Sequence, residues 1–189
     1  MISVKNLREK TASRIVPKDK PGYYIWWAEK TEFDFILDAL DVRYEDVCND
    51  VLQKNGLYSI YLGIASHESI YQRVVKWHIL QHHTFSNVRN KYLSTLRKTI
   101  SSLISHNQLD EKGTNSFMDK LKVDYTAIDS DLGDEAEKKL HTIELESFSK
   151  NLYILNIQDN HYNELTDKIK RKLKKIRKEG KKNALSVKQ

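Results

Sequence analysis

The segment Leu57–His78, LYSIYLGIASHESIYQRVVKWH, constrains the fold most, because a strand pattern passes directly into a helix pattern. Its first half alternates and is rich in β-branched and aromatic residues, which predicts a strand that closes at Gly63. A helix pattern follows, and its apolar positions are Ile70, Val74 and Trp77. The same helix carries Arg73, Lys76 and His78. A strand, turn and helix that bring cationic side chains together indicate a site that binds anions or phosphates.

The charge of the chain is distributed unevenly. The whole sequence has a net charge of +6, but Lys168–Lys182 contains ten Lys and Arg residues and one acid, which leaves the remainder at −3. We therefore expect a mildly acidic body and a basic C-terminal segment of the kind that often binds nucleic acid. The alternative is a solvated helix that packs one stripe on the core. That stripe consists of Leu165, Ile169, Leu173 and Ile176.

Several classes of protein are excluded or disfavoured by the sequence. The single cysteine, Cys48, excludes an internal disulfide framework and a cysteine-based zinc site. The sequence has no apolar signal core and no run of membrane-spanning length, so we expect a cytoplasmic protein without a membrane partner. His78 and His82 have the i, i+4 spacing of two metal ligands, with His83 beside them, but the sequence indicates no further ligand. A structural metal there is the less favoured interpretation.

Three segments are predicted to form strands, and several others have helical periodicity. The predicted strands are Gly22–Ala28, Leu57–Ala65 and Leu121–Ile128. The predicted helices are Val4–Ser13, Thr31–Asn55, His67–His82, Val88–Ser105, Asp134–Lys150 and Asn163–Lys182. The helix that begins at Asp134 is expected to carry a capping box formed by Asp134 and Glu137.

Two charged residues stand out by their positions on helices. Glu144 lies one turn after Leu140 and one turn before Phe148, on a partly apolar ridge where a carboxylate needs a partner or a bound cation. The plain alternative is a boundary glutamate that reaches solvent. Arg73 lies one turn before Trp77, so it is either a surface arginine stacked on the indole or a functional cation.

The order of these residues along the chain resembles the GIY-YIG nuclease family. Gly22-Tyr23-Tyr24 stands where the family has Gly-Ile-Tyr, and Tyr61-Leu62-Gly63 stands where it has Tyr-Ile-Gly. An arginine and a histidine follow on the next helix. Glu144 and an asparagine twelve residues later, Asn156, match the spacing of the family's metal-binding glutamate and its asparagine, and that spacing selects Glu144 over Glu146.

The resemblance implies a fold of the α+β class, with a small central three-stranded antiparallel β-sheet flanked by helices. We expect this nuclease-like domain to occupy residues 1–160. It includes an acidic helical insertion at residues 31–55, which lengthens the interval between the two tyrosine motifs and is expected to serve a protein partner or a lid. A basic C-terminal helical extension occupies residues 161–189.

The same resemblance implies a divalent-metal-dependent DNA endonuclease of restriction, repair or mobile-element type. Tyr24 and Tyr61 would flank the attacking water, and one of them would help to deprotonate it. An in-line attack also needs a cation for the developing charge and a hard-metal ligand. The metal is expected to be Mg²⁺ or Mn²⁺, and one carboxylate can suffice because Mg²⁺ keeps several of its waters.

The remaining residues of the implied site have simpler roles. Arg73 would hold the scissile phosphate, which suits a guanidinium because it makes bidentate contacts. Glu144 would bind the metal, and Asn156 would support the site. The resemblance also places His78 in the site as a catalytic residue.

The sequence departs from the family pattern at the histidine. The family usually has its histidine four residues after the arginine, but Trp77 occupies that position and His78 follows five residues after Arg73. In an ideal α-helix these two positions point about 100° apart. Either the helix is locally irregular, or another group such as Lys76 or Tyr71 fills the role.

DNA contacts outside the site are predicted from the basic residues of two segments. The basic C-terminal segment would contact phosphates and give salt-dependent affinity, and the second helix after the Tyr61 motif is a candidate for specificity. The predicted contacts are Arg89, Arg97, Lys170, Arg171 and Lys174. Two alternatives to a nuclease stay open: a non-catalytic nucleic-acid-binding protein on a degenerate nuclease scaffold, which the displaced histidine favours, and a protein-interaction module that uses the acidic insertion.

Overall fold

The computed structural model describes residues 1–156 and 164–186 and has an α+β architecture. Five strands form one antiparallel sheet in the order β1-β5-β2-β4-β3. The strands are β1 (Ile2–Ser3), β2 (Gly22–Ala28), β3 (Gln53–Lys54), β4 (Leu57–Ala65) and β5 (Lys122–Ala127). The expected three-stranded sheet is therefore wrong in its strand number. The two added edge strands have two residues each, which is too short to produce an alternating pattern.

The three central strands lie where the sequence predicts them. β2 is the middle strand and pairs with both β4 and β5. It is buried on both faces over most of its length, as expected for a segment that is apolar at consecutive positions. In the β2–β4 ladder, Tyr24 is opposite Gly63 and Trp26 is opposite Tyr61. Since side chains alternate between faces, these four residues lie on the same face of the sheet.

Helices cover both the sheet and one another. The α-helices are α1 (Val4–Asn6), α2 (Ala12–Ile15), α3 (Lys30–Leu40), α4 (Phe85–Arg89), α5 (Thr95–Ser105), α6 (Glu111–Met118), α7 (Asp134–Lys150) and α8 (Glu164–Ser186). Two segments are π-helices, Leu7–Thr11 and Tyr71–Ile79, and Tyr44–Asp46 is a 3₁₀ turn. The second π-helix replaces most of the α-helix predicted for residues 67–82.

Three predicted helical features differ in the structure. The helix expected at Val88–Ser105 is broken into α4 and α5, because Lys91 adopts a left-handed conformation with φ of 64°. The helix expected to span Thr31–Asn55 ends at Leu40, where Asp41 is also left-handed. The capping box of α7 is absent, since Gly133 occupies the N-cap position and no side chain caps the helix there.

The basic helix α8 is part of the main hydrophobic core. Its residues Ile169, Leu173 and Ile176 are buried together with residues of the sheet and of α3 and α5. Gly180 allows close packing on α5, because a Cβ there would lie 2.8 Å from the Cβ of Ser102. The helix therefore packs one apolar stripe on the core and presents basic residues on its exposed side.

Some predictions concern the segment at residues 157–163. The proposed boundary at residue 160 and the predicted helix start at Asn163 lie outside the described residues, so both stay predictions. Within residues 1–156 and 164–186, no helix combines the length and the apolar composition needed to cross a bilayer.

Candidate active site

A cavity of about 600 Å³ opens where β2, β4, the π-helix Tyr71–Ile79, α5, α7 and α8 meet. All six residues that the sequence proposes for a site line it: Tyr24, Tyr61, Arg73, His78, Glu144 and Asn156. These residues come from two strands, two helices and the segment after α7. The fold therefore brings together side chains that are far apart in the sequence.

The glycines of the two tyrosine motifs are explained by close packing. A Cβ on Gly63 would lie 2.5 Å from Cζ of Tyr24, so the Tyr24 ring needs a residue without a side chain on the neighbouring strand. Gly22 is equally confined, because a Cβ there would lie 2.6 Å from Cδ1 of Ile70. Such contacts are shorter than any that real Cβ atoms make. Gly63 therefore lets Tyr24 lie across the neighbouring strand, and Gly22 lets β2 approach Ile70 and β5 closely.

His78 is buried and is held by hydrogen bonds on both sides of its ring. Nε2 lies 2.9 Å from the hydroxyl of Tyr24, and Nδ1 lies 3.1 Å from Oγ of Ser94. The ring also makes edge contacts with Trp26 and Tyr61. Burial, together with Arg73 and Arg97, lowers the pKa of His78 to about 3. The imidazole is therefore neutral at physiological pH, and its low pKa makes it a weak base in the resting site.

The π-helix accounts for the displaced histidine. Its turns are closed by bonds to the fifth residue back, as in the 2.9 Å bond from Leu80 N to Val75 O. Residue i+5 therefore points closer to the direction of residue i than it does in an α-helix, and His78 lines the same cavity as Arg73 and Trp77. Lys76 is exposed and packs near the Tyr71 ring, outside the cavity. Local irregularity of the helix is thus the alternative that the structure supports.

Arg97 is a structural residue, and its prediction as a DNA contact is wrong. The side chain is fully buried. Nη1 donates to the carbonyl oxygens of His78 and Ile79, each at 3.0 Å, and Nε donates to Nε2 of His83 at 2.8 Å. A cation at the last carbonyls of a helix stabilises that end. Arg97 therefore fixes the end of the π-helix from which His78 reaches the cavity.

The three histidines considered as zinc ligands form hydrogen bonds with different partners. His82 Nδ1 lies 2.9 Å from Glu111 Oε1, whereas His83 Nδ1 lies 2.7 Å from the carbonyl oxygen of Gln108. His78 is bound to Tyr24 and Ser94, as described above. Their ring nitrogens do not converge, so the i, i+4 histidine spacing does not form a metal site here.

Glu144 occupies the ridge of α7 that faces the cavity. Its neighbours one turn away, Leu140 and Phe148, are buried, and its own side chain is 16% exposed. One carboxylate oxygen lies 3.6 Å from Nδ1 of His141. Of the described residues that line the cavity, Glu144 is the one acid. A boundary glutamate directed to bulk solvent does not fit this position.

Asn156 is bound to the open edge of β4. Its Oδ1 accepts from Leu62 N and its Nδ2 donates to Leu62 O, both at 2.9 Å. The amide group thus completes the hydrogen bonds of a strand residue where the short edge strand β3 does not reach. Leu62 lies between Tyr61 and Gly63, so Asn156 positions both of them.

The two tyrosine hydroxyls are buried and stay protonated in this environment. Burial raises the pKa of Tyr24 well above its usual value, with Tyr61 and Glu144 acting in the same direction and Arg73 opposing them. Burial also raises the pKa of Tyr61, while Arg177 and Arg73 lower it. Each hydroxyl therefore acts as a hydrogen-bonding group in the resting site.

Arg73 provides an exposed guanidinium at the cavity. Its Nε lies 3.2 Å from Oε2 of Glu68, and both side chains are partly exposed. An ion pair of this kind is weak because water screens it. The guanidinium can exchange that partner for an anion in the cavity at little cost.

Sequence reasoning missed part of the cavity wall. Ser94 and the cations Lys91, Lys98 and Arg177 line it, and of the predicted DNA contacts only Lys174 does. Arg177 could have been found from its position on α8, one turn after Leu173 on the buried stripe. Ser94 and the lysines gave no comparable signal. The other predicted contacts lie outside the cavity: Arg89 and Arg171 are exposed and Lys170 is half-buried.

Comparison with known proteins gives one family. Searches of curated proteins and of solved structures returned no match. The family profile described as the GIY-YIG catalytic domain matches residues 22–179, which spans both tyrosine motifs, Arg73, Glu144, Asn156 and most of α8. Since this match covers most of the chain and the motif residues meet in one cavity, the protein belongs to the GIY-YIG superfamily of nuclease-type domains.

Proposed function

We propose that the chain is a divalent-metal-dependent endonuclease that hydrolyses phosphodiester bonds in DNA. The observation that carries this proposal is the single cavity lined by two tyrosines, an arginine, a histidine, a glutamate and an asparagine. Phosphodiester hydrolysis needs an oriented water, a proton acceptor and positive charge for the developing oxyanion. These residue types supply each of those requirements in one place.

Tyr24 is the better candidate for the residue that takes the proton of the attacking water. Its hydroxyl is hydrogen-bonded to His78, which is neutral in the resting site. The raised pKa of Tyr24 means that a free phenolate is not present at rest. The water passes its proton to Tyr24 as Tyr24 passes its own to His78. Because the low pKa of His78 opposes this transfer, the negative charge of the bound phosphate must stabilise the imidazolium. Ser94 holds the far side of the imidazole during this exchange.

Arg73 and Tyr61 act on the substrate side of the cavity. The guanidinium of Arg73 presents several donors in a plane, a geometry that matches two oxygens of a phosphate. Tyr61 lies near enough to Arg73 for the cation to lower its pKa. Its hydroxyl can then donate to the same phosphate or to the attacking water.

The residues of the cavity fit a single magnesium or manganese ion. Glu144 offers a partly buried carboxylate oxygen, and the absence of further acids in the described lining suits an ion that keeps most of its waters. When bound, the ion would favour loss of a proton from water and neutralise charge on the phosphate. Asn156 keeps its amide on β4 and contributes through position.

DNA as the substrate is supported by the distribution of charge. The cavity wall has more cations than acids, and the outer face of α8 continues the basic surface. A polyanionic strand would release counterions on binding such a surface. The displaced histidine had favoured a non-catalytic scaffold, but the π-helix returns His78 to the cavity and removes that support.

A plasmid cleavage assay tests the proposal. The wild-type chain, Glu144→Gln and Glu146→Gln are incubated with supercoiled DNA, with and without Mg²⁺ or Mn²⁺. Glu146 is an exposed carboxylate on the same helix and does not line the cavity, so it is a matched control. We expect metal-dependent nicking or linearisation by the wild type and by Glu146→Gln. Glu144→Gln should lose roughly a hundredfold or more of the rate.

Two outcomes would contradict the proposal. One is equal cutting by the wild type and Glu144→Gln, which would indicate a contaminating nuclease. The other is no cutting by the wild type on supercoiled, linear, single-stranded and branched DNA in either metal.

A further inference from the structure

Four cations from the α4–α5 loop, α5 and α8 line the part of the cavity that the proposed chemistry does not use. They are Lys91, Lys98, Lys174 and Arg177. Within the described residues, none of the four lies within 4.0 Å of a carboxylate oxygen, whereas many other cations of the chain do. Lys98 and Arg177 are half-buried, Lys91 and Lys174 are exposed, and no described carboxylate is close enough to form an ion pair with any of them.

Arg177 is fixed in place by neutral partners. Its Nε donates to Oγ1 of Thr99 at 2.6 Å, and Nη2 donates to the carbonyl oxygen of Thr95 at 3.2 Å. These contacts orient the guanidinium but leave its charge uncompensated. Burial lowers the pKa of Arg177 to about 10, which is the expected cost of holding the cation there.

Lys98 lies close enough to other cations to be destabilised by them. Burial lowers its pKa, and Arg177, Lys181 and Lys91 lower it further. The N-terminal end of α5, with Ser94 and Thr95 in the cavity lining, adds the positive end of a helix dipole. Like charges that repel one another in a half-buried site are relieved by a bound anion.

The position of this cluster beside the proposed chemistry limits the kind of anion. Tyr61, Arg177 and Arg73 line the same cavity, and both arginines lower the pKa of Tyr61, so each guanidinium lies within electrostatic reach of its hydroxyl. An anion at Arg177 is then a near neighbour of a phosphate at Arg73. Consecutive phosphates of one nucleic-acid strand have this relation, and they carry one charge each.

We propose that Lys98 and Arg177 form a second phosphate-binding subsite, which holds the backbone phosphate next to the scissile one. The strand thus crosses the cavity from Arg73 to the wall formed by α5 and α8. Lys91 and Lys174 extend the path on the same side. This inference rests on the proposed function only in requiring that a nucleic-acid strand enters the cavity.

Binding measurements without catalysis test the subsite. The full-length Glu144→Gln chain, in EDTA, is titrated with a fluorescent single-stranded oligonucleotide and a duplex over a range of sodium chloride concentrations. Adding Lys98→Gln should weaken binding and reduce the salt slope by about 0.7 for the single strand or 0.9 for the duplex, as expected for one lost phosphate contact. Lys112→Gln is the charge-matched control, since this exposed lysine of α6 does not line the cavity. Equal slopes for the two variants would overturn the subsite.

A second arm locates the contact and avoids relying on one variant. Individual phosphates of the oligonucleotide are replaced by neutral methylphosphonates. Replacing one particular phosphate should weaken binding of the Glu144→Gln chain, but the same replacement should not weaken binding further when the chain also carries Lys98→Gln. Arg177→Lys keeps the charge, and a thermal unfolding curve shows whether this variant is folded. The variant should weaken the contact with that same phosphate and with no other. If the loss of binding caused by Lys98→Gln and the loss caused by phosphate replacement add at every linkage, the proposal is overturned.

The outcome for the subsite is separable from that for catalysis. A chain that binds as described but never cuts DNA would remove the nuclease proposal and keep the subsite. If the chain cuts DNA but the losses of binding are additive at every linkage, the nuclease proposal stands and the subsite proposal fails.

Discussion

At the scale of single residues, the buried pair Arg97 and His83 has hydrogen bonds that fix its protonation. Arg97 Nε donates to His83 Nε2, so Nε2 must be an acceptor. His83 Nδ1 therefore carries the proton and donates to the carbonyl oxygen of Gln108. A second proton on His83 would face the guanidinium directly. Burial and then Arg97 accordingly lower the pKa of His83 to about 4.

This pKa makes the stability of the fold depend on pH. The unfolded chain takes up a proton on His83 near pH 6.5, whereas the folded chain does so only near pH 4. Between these values the unfolded state binds more protons, so the free energy of unfolding falls as the pH is lowered. We expect His83→Asn to reduce that slope by up to about 1.4 kcal/mol per pH unit in this window, as measured by urea unfolding. Identical slopes for the two proteins would contradict the assignment.

At the scale of elements, the π-helix Tyr71–Ile79 decides which residue reaches the Tyr24 hydroxyl. Its wider turn carries Trp77 and His78 to positions that an α-helix would not give them. Arg97 holds its C-terminal carbonyls, and the Tyr24 hydroxyl holds the ring of His78. Such a helix persists because tertiary contacts at its end and on its side chains support it.

A histidine register experiment follows from this element. His78→Gln should reduce DNA cleavage by about 10² to 10⁴, the usual contribution of a residue in a proton-transfer path. Adding Trp77→His restores the family's usual spacing in the sequence but should not restore activity, because the π-helix does not carry residue 77 to the Tyr24 hydroxyl. The plasmid assay measures the rates, and thermal unfolding checks that both variants are folded. Recovery of cleavage in the double variant would contradict this account of the histidine position.

At the scale of the whole molecule, helix α8 connects the core and the cavity. Its inner face buries Ile169, Leu173 and Ile176, and the same face carries Arg177 into the cavity wall. Lys168 also reaches back to the end of α3, where its Nζ lies 3.2 Å from the carbonyl oxygen of Asp41. The basic segment is thus a structural wall on one side and a charged surface on the other.

Truncation tests this arrangement. A chain that ends at residue 160 loses three fully buried aliphatic side chains, worth about 1.5 to 3 kcal/mol each. Their sum is a large share of the roughly 5 to 15 kcal/mol that stabilises a typical domain. We expect the truncated chain to lose cooperative thermal unfolding, as followed by circular dichroism. The full-length chain with Lys175→Gln and Lys178→Gln, which changes only exposed residues of α8, should unfold near the wild-type temperature. A truncated chain with an unchanged transition would mean that α8 is an independent extension.

The sequence by itself determined the three central strands, the order of the motif residues and the helix that carries Glu144. Alternation, β-branched residues and closely spaced glycines are local properties, and they predict local structure directly. Such patterns could not predict that the sheet has five strands. The two-residue strands at Ile2–Ser3 and Gln53–Lys54 are defined only by their pairing partners.

Only the tertiary structure decided the register of the π-helix, the burial of Arg97 and the place of Arg177 in the cavity. A sequence pattern shows which face of a helix is apolar, but it does not show what that face packs against. Arg97 resembles a surface cation in the sequence, yet it is buried because carbonyl oxygens and His83 from other segments satisfy its donors. Charged side chains can be buried only where such partners converge, and that convergence is set by the packing of the whole chain.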